Sequence, residues 1–264
     1  MKSHSNKSWN IAYLTVATNR YVNYWESMVY SADEKFSKED KAVFLVLTDQ
    51  PDICLQVART LRNIEVLVRE IAPLGWPDAT LLRYKLYSEH GKSIEAESFA
   101  HIDADMLFIQ NPLNFLNPHK WDNGIALVEH PGYSRRSDIP ISFVQQTKDL
   151  VRRIRLGALG TWETNKKSKA FVSRKSRKSY VCGGSWMGSK DSFFNLVEEL
   201  RDLTELDLNN ELIAKWHDES YLNHWASSNA HTLLPSSFCF DASFPWLSGQ
   251  DEIIRAVRKT VSIE

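Results

Sequence analysis

Five short apolar runs limit what this chain can fold into. They are Ile11-Ala12-Tyr13-Leu14-Thr15-Val16, Ala42-Val43-Phe44-Leu45-Val46-Leu47, Ile64-Glu65-Val66-Leu67-Val68, Ser98-Phe99-Ala100-His101-Ile102 and Ile125-Ala126-Leu127-Val128. Each has strand length, and most are rich in β-branched or aromatic residues. Between the first two, Tyr21, Trp25, Met28 or Val29, Ala32 and Phe36 recur at helical spacing. Residues 79–88 read as a further helix with Asp78 as its N-cap. Strands alternating with helices predict an α/β layer fold with a mostly parallel sheet. The second half is less regular. Residues 141–156, 191–206 and 218–226 are helical in pattern, and residues 251–264 hold only short apolar pieces. No repeat or interdomain linker stands out, so the 264 residues are expected to form one domain.

Composition removes several function classes. With 32 basic and 33 acidic side chains the net charge is −1, which calls for neither nucleic acid nor a membrane partner. Cys54, Cys182 and Cys239 are far apart and odd in number, with no zinc spacing, which fits a reducing compartment. No apolar run approaches the ~20 residues of a membrane helix, and the polar start from Met1 to Trp9 has no signal-peptide core. The expectation is a soluble, cytoplasmic protein without a membrane span.

Two acidic clusters carry the chemistry. Asp103-Ala104-Asp105 follows the fourth strand at its carboxyl end, where open α/β sheets place their ligands. Two carboxylates two positions apart can converge on one hard cation, Mn²⁺ or Mg²⁺, that bridges to a diphosphate. They can equally be solvated turn acids. Downstream, Asp218-Glu219 lies within Trp216-His217-Asp218-Glu219-Ser220. Neighbouring acids suit a helix N-terminus. In a sugar site one would bind hydroxyls and the other would lie beneath an anomeric carbon, as nucleophile or as electrostatic stabiliser. Cys182-Gly183-Gly184-Ser185 reads as a tight turn or as a place where a ligand approaches the backbone. His130-Pro131-Gly132-Tyr133 reads first as a turn. Residues 152–178 hold ten Lys or Arg and one acid, Glu163. Such a stretch is a solvated loop, a lid over a nucleotide diphosphate, or a nucleic-acid surface; its aromatics are sparse for stacking.

Taken in order, these stretches resemble the family-6 glycosyltransferases. Ala17-Thr18-Asn19-Arg20-Tyr21-Val22, Ser31-Ala32-Asp33-Glu34-Lys35-Phe36 and Leu47-Thr48-Asp49-Gln50-Pro51 are similar to the family's opening. Trp76-Pro77-Asp78 through Arg83, His101-Ile102-Asp103-Ala104-Asp105, His130-Pro131-Gly132, Cys182-Gly183-Gly184, Trp216 to Ser220 and Leu222-Asn223 continue the series. The resemblance implies a GT-A fold with a Rossmann-like sheet, a UDP-sugar donor, Mn²⁺ and retention at the anomeric carbon. It implies a nucleotide-sugar half at about 1–125 and an acceptor-binding, catalytic half at about 126–264. By position, Val16, Thr18 and Tyr21 would line the uridine pocket, with Arg83 near the donor sugar. Asp103 and Asp105, with Ala104 between them, would hold the metal and the diphosphate. Cys182, Gly183, Gly184 and Asp218 would face the donor sugar, and Glu219 would be the catalytic carboxylate. His130, Thr161, Trp216 and Asp241 would face a galactose-terminated glycan acceptor, and Arg258 would help a mobile tail close on the diphosphate.

The chain departs from the family pattern in three places. The interval from His130 to Thr161 is longer than usual, the stretch before Asp241 is one residue shorter, and Phe240 stands where Trp is common. Many bacterial relatives carry Asn-x-Asn and work without metal, whereas this chain has the acidic form. In the family it resembles, the positions matching Cys182 and Gly184 help choose between galactose and N-acetylgalactosamine; small residues there leave room for an acetamido group, which favours UDP-GalNAc with UDP-Gal next. Other readings are a different retaining GT-A transferase, or a non-catalytic sugar- or nucleic-acid-binding module.

Overall fold

The computed structural model describes residues 8–135 and 141–257. Sixteen elements position the site. The first half runs β1 (Trp9–Val16), α1 (Tyr21–Lys35), β2 (Ala42–Thr48), α2 (Pro51–Ala58), β3 (Glu65–Glu70), α3 (Asp78–Leu81), α4 (Arg83–His90), β4 (Ala96–Ile102) and β5 (Met106–Phe108). Then come β6 (Ile125–Glu129), α5 (Phe143–Leu156), β7 (Val181–Ser189), α6 (Lys190–Asn209), α7 (His217–Ser228), β8 (Thr232–Leu234) and β9 (Ile254–Ala256).

Seven strands form one sheet in the order β3-β2-β1-β4-β7-β6-β8, and β5 pairs with β9 in a small second sheet. Every pairing in the large sheet is parallel except those of β7, which runs against both β4 and β6. The mostly parallel α/β sheet expected from the alternating runs is therefore present. Both sheets cross residue 125, since β4 pairs with β7 in the large one and β5 with β9 in the small one.

The unbroken apolar runs have a direct cause. Successive side chains of a strand point to opposite faces, and here both faces are covered. In β1, Ile11 and Tyr13 enter one core with α1, while Ala12 and Leu14 enter the other with α4. In β2, Phe44 and Val46 face the first core, and Val43, Leu45 and Leu47 the second. Trp25, Met28, Val29 and Ala32 of α1 seal one side. Tyr84, Phe193, Leu200 and Tyr221 of α4, α6 and α7 seal the other.

Four local expectations need correction. The helix expected over residues 79–88 is two helices, broken at Leu82, and Pro77 rather than Asp78 is the N-cap; Asp78 opens α3. The third strand begins one residue later and runs on to Glu70. Cys182-Gly183-Gly184-Ser185 is not a turn but part of β7. Leu127 and Glu129 of β6 pair with Trp186 and Val181, so five residues of β7 span two of β6. The excess is a large bulge, a feature that re-aims side chains near sites. It explains why Val181 and Trp186 share one core although they are five positions apart, an odd offset. Finally, the basic stretch is largely ordered structure. It starts inside α5 and continues through a small core of Ala158, Trp162, Val172 and Tyr180. Arg258, the expected tail residue, lies outside the described residues. The last described one, Val257, donates its N–H to the Asp105 carbonyl.

Candidate active site

The strand order reverses at β1 and β4: the chain leaves β1 for β2 and β3, then returns to β4 on the other side. Ligands of open sheets lie at the carboxyl ends of such a pair. Here those ends are Val16 and Ile102, tied together by the Thr15 hydroxyl donating to the Ile102 carbonyl at 2.9 Å. A cleft of about 520 Å³ opens above them, between Val16, Thr18 and Tyr21 on one side and Asp103, Ala104 and Asp105 on the other. Leu74 and Trp76 form its rim, and the Thr18 hydroxyl donates to the Leu74 carbonyl.

A second cleft of about 490 Å³ joins the first at Trp76, Thr80, Arg83 and Asp103. Its floor is Gly183, Gly184, Asp218 and Glu219, and its walls include His130, Tyr133, Thr161 and Trp216. The structure therefore gathers nearly all the sequence-predicted site residues around one continuous depression. Thr161 belongs to it despite the long interval from His130, because the Tyr133 hydroxyl lies 3.0 Å from its Oγ1. Two residues lie elsewhere. Cys182 points into the core, where its Sγ meets that of Cys239. Asp241 lines neither cleft but lies close enough to favour the charged form of His130.

Arg83 joins the two halves of the site. It is 5 % exposed. One terminal nitrogen lies 2.9 Å from Asp103 Oδ1, and the other 3.1 Å from Asp218 Oδ2 and 2.5 Å from His101 Nε2. Burial opposes its charge, but Asp218 and Asp103 outweigh burial and hold the guanidinium more firmly protonated than usual. Behind it, the Tyr87 hydroxyl donates to the Leu14 carbonyl and lies 2.7 Å from His101 Nδ1. With its one hydrogen used, that hydroxyl accepts from Nδ1, so Nε2 is bare and accepts from Arg83. Burial, then Arg83, pushes His101 down to about 4, which agrees with a neutral ring.

The two downstream acids sit in the first turn of α7. Glu219 Oε2 accepts from the Gly183 N–H at 2.8 Å. A Cβ on Gly183 would stand 3.0 Å from Glu219 Cβ, and one on Gly184 3.0 Å from Asp103 Oδ2 and 2.7 Å from Met106 Cε. The glycine pair thus lets three carboxylates close on one backbone segment. Burial raises both acids to about 7: for Asp218 against the pull of Arg83, for Glu219 against the Gly183 N–H and Tyr180. Burial likewise pushes His130 down to about 4.

The raised acids predict a measurable stability effect. The folded chain holds these protons more tightly than the unfolded chain, so their contribution falls as pH rises from about 4 to 7 and then levels. His101 and His130, displaced the other way, act oppositely over about pH 4 to 6.5. Whole-chain stability therefore masks the effect, and a difference between variants reveals it. Glu219→Gln should match the parent near pH 4.5 and exceed it by about 3 kcal/mol at pH 8. Urea unfolding at the two pH values measures this, and a pH-independent difference would contradict it.

His101, Tyr84, Tyr87, Tyr180, Trp76 and Thr80 had no predicted role. Trp76, Thr80 and Arg83 follow one another at helical spacing, a signal that could have grouped them. The hydrogen-bonded His101 and tyrosines leave no spacing pattern.

An α/β sheet with strand-end carboxylates beside a two-part cleft is the arrangement of the GT-A type fold. Comparison with known proteins shows what the chain is similar to. The Glycosyltransferase family 6 model matches residues 158–262. The chain is 26 % identical to the O-antigen biosynthesis glycosyltransferase WbnI of Escherichia coli over 89 % of this chain and 88 % of that protein. It is 25 % identical to histo-blood group ABO system transferase 1 of Rattus norvegicus, over 80 % of this chain and 55 % of that one. It is 22 % identical to human globoside alpha-1,3-N-acetylgalactosaminyltransferase 1, over 87 % and 60 %. The chain thus spans little more than half the length of these animal relatives. These matches make the chain similar to the family-6 glycosyltransferases.

Proposed function

We propose that this chain transfers GalNAc, with Gal as the next choice, from a UDP-sugar to a galactoside acceptor in α1,3 linkage with retention of configuration. The observation that carries the reading is the junction of the two clefts at Arg83 and Asp103, with Asp218 and Glu219 on the floor beside it. The name of the human relative, an alpha-1,3-N-acetylgalactosaminyltransferase, supports the linkage and the sugar.

Val16, Thr18 and Tyr21 would receive the uridine, and Arg83 would face the donor near its sugar. Asp218 would bind the donor ring, and Glu219 would lie beneath the anomeric carbon. As that carbon parts from the diphosphate oxygen, positive charge grows on it, and the Glu219 carboxylate either stabilises that charge or bonds to it. His130, Thr161 and Trp216, with Asp241 behind, would place the acceptor hydroxyl, which passes its proton to the departing diphosphate oxygen as the new bond forms. Neither Cys182 nor Gly184 puts a side chain into the cleft, which leaves space for an acetamido group.

Asp103 and Asp105 fit a hard divalent cation. Both are carboxylates on one cleft wall, although among the described residues no group of three His, Cys, Asp or Glu could hold a metal ion by itself. An open two-carboxylate set suits Mn²⁺, or Mg²⁺, which takes its other ligands from phosphates and water. Such a cation would supply charge to the leaving diphosphate.

Hydrolysis of UDP-GalNAc and of UDP-Gal, each with Mn²⁺ and with chelator, tests the proposal. UDP-GalNAc should turn over faster, and metal removal should cost at least tenfold. No turnover of either sugar nucleotide under any metal condition would overturn it.

A further inference from the structure

Helix α5 is built inside out. Phe143, Val144, Leu150, Val151 and Ile154 are all exposed, Phe143 at 81 % and Ile154 at 63 %. At 3.6 residues per turn they share, with Thr147, a stripe about 120° wide. The opposite side holds Gln145, Asp149 and Leu156, and that polar side faces the protein. Asp149 is buried against Arg135, at 2.6 and 3.1 Å from two of its guanidinium nitrogens, and Gln145 donates to the same carboxylate. Ser142 caps the helix, so it is a formed element with its apolar stripe turned outward.

Charge decides what covers the stripe. Lys148 and Arg155 flank it on one edge and Arg153 on the other, with Arg152 beyond Lys148. Asp149, the one acid on the helix, is neutralised by Arg135. At the C-terminal end Arg174 and Arg177 donate to the Ile154 and Leu156 carbonyls and add their charge. A second copy meeting this face would bring like charges together. An apolar stripe between rows of Lys and Arg instead suits a surface of phospholipid headgroups, where the chains accept the stripe and anionic groups meet the cations.

We propose that α5 docks this chain on an anionic bilayer surface, lying in the plane of the headgroups. The docking is independent of the proposed reaction. Its use rests on that reaction: Arg135 anchors α5 just after the His130–Tyr133 turn, at the acceptor side of the cleft, so docking would bring the cleft to glycans carried on lipids.

The test is co-sedimentation of the full chain with vesicles of phosphatidylcholine alone or with 30 mol % phosphatidylglycerol, at low and high salt, alongside hydrolysis of UDP-GalNAc in solution. Binding should appear with the anionic vesicles and weaken at high salt. Val151→Glu with Ile154→Glu should abolish it, and Arg152→Gln with Arg153→Gln should weaken it about twentyfold, both leaving hydrolysis in solution unchanged. Circular dichroism confirms that the variants fold. Equal failure on both vesicle types overturns the proposal, as does binding that the glutamate pair leaves intact. A concentration-dependent dimer abolished by the same pair would assign the stripe to a second copy and also overturn it. If the chain hydrolyses no sugar nucleotide yet binds anionic vesicles, the docking stands and the proposed function falls.

Discussion

Glu219→Gln should lower turnover of UDP-GalNAc by about a thousandfold while leaving the affinity for UDP within a few-fold of the parent. The size follows from what an amide lacks. The amide oxygen can still accept from the Gly183 N–H, as the carboxylate does, so the geometry of the α7 turn survives. It cannot carry the negative charge that an oxocarbenium-like centre needs, and losing one preorganised electrostatic group costs about 10²–10³ or more in kcat. UDP binding should survive because the proposed uridine pocket and the strand-end carboxylates line the first cleft, while Glu219 lines only the second. The same variant is expected to be more stable than the parent above pH 7, so unfolding cannot account for the loss. Steady-state rates and calorimetric titration with UDP separate the two quantities. A variant with full turnover would remove Glu219 from the chemistry. A parallel collapse of UDP affinity would make it a binding group.

The pH dependence of the parent adds a second readout. With Glu219 raised to about 7 by burial, kcat/KM should rise with pH through that region as the free protein loses the proton. Asp218, raised to a similar value, belongs to the same rise, because the two acids lie in one turn and each disfavours ionisation of the other.

What the sequence made legible follows from burial. β1 and β2 could be read because helices cover both faces of the sheet, leaving no polar alternation to blur the runs. β5, β8 and β9 have three residues each, too few to leave a pattern. β7 was hidden for a different reason. Its Gly183-Gly184 pair has the composition of a turn, yet those glycines sit mid-strand so that Glu219 and Asp103 can pack against bare backbone. The site divides in the same way. Asp103, Asp218, Glu219 and Arg83 lie in distinctive strings, whereas the roles of His101 and Tyr87 arise only when β4 and α4 are brought together. The basic stretch misled for want of context. Its acid, Glu163, accepts the backbone N–H groups of Asn165 and Lys215 and so pins part of the stretch to the body.

Arg83→Met should cost about 3–5 kcal/mol of stability at pH 7 and reduce donor binding at least a hundredfold. The methionine fills much of the same volume, so the loss would be electrostatic. Asp103 and Asp218 now share one guanidinium through separate nitrogens. Removing one partner of a buried ion network leaves the other charges uncompensated, which is where losses of this size come from. Asp218 would respond by keeping its proton, since burial already raises it and Arg83 is what holds it down. A protonated Asp218 gains an O–H donor and keeps only its carbonyl oxygen as a strong acceptor, which alters its contact with a sugar hydroxyl. Arg83→Lys is the discriminating control. An ammonium is a single point charge and cannot span two carboxylates as the planar fork does, so it should restore less than half of the lost stability. It should restore still less donor binding, because the fork also sets the spacing between Asp103, on the proposed diphosphate side, and Asp218, on the proposed sugar side. Urea unfolding and UDP-GalNAc titration of the parent and both variants give the comparison. If Lys restored both properties fully, net charge alone would suffice and Arg83 would have no part in setting that spacing.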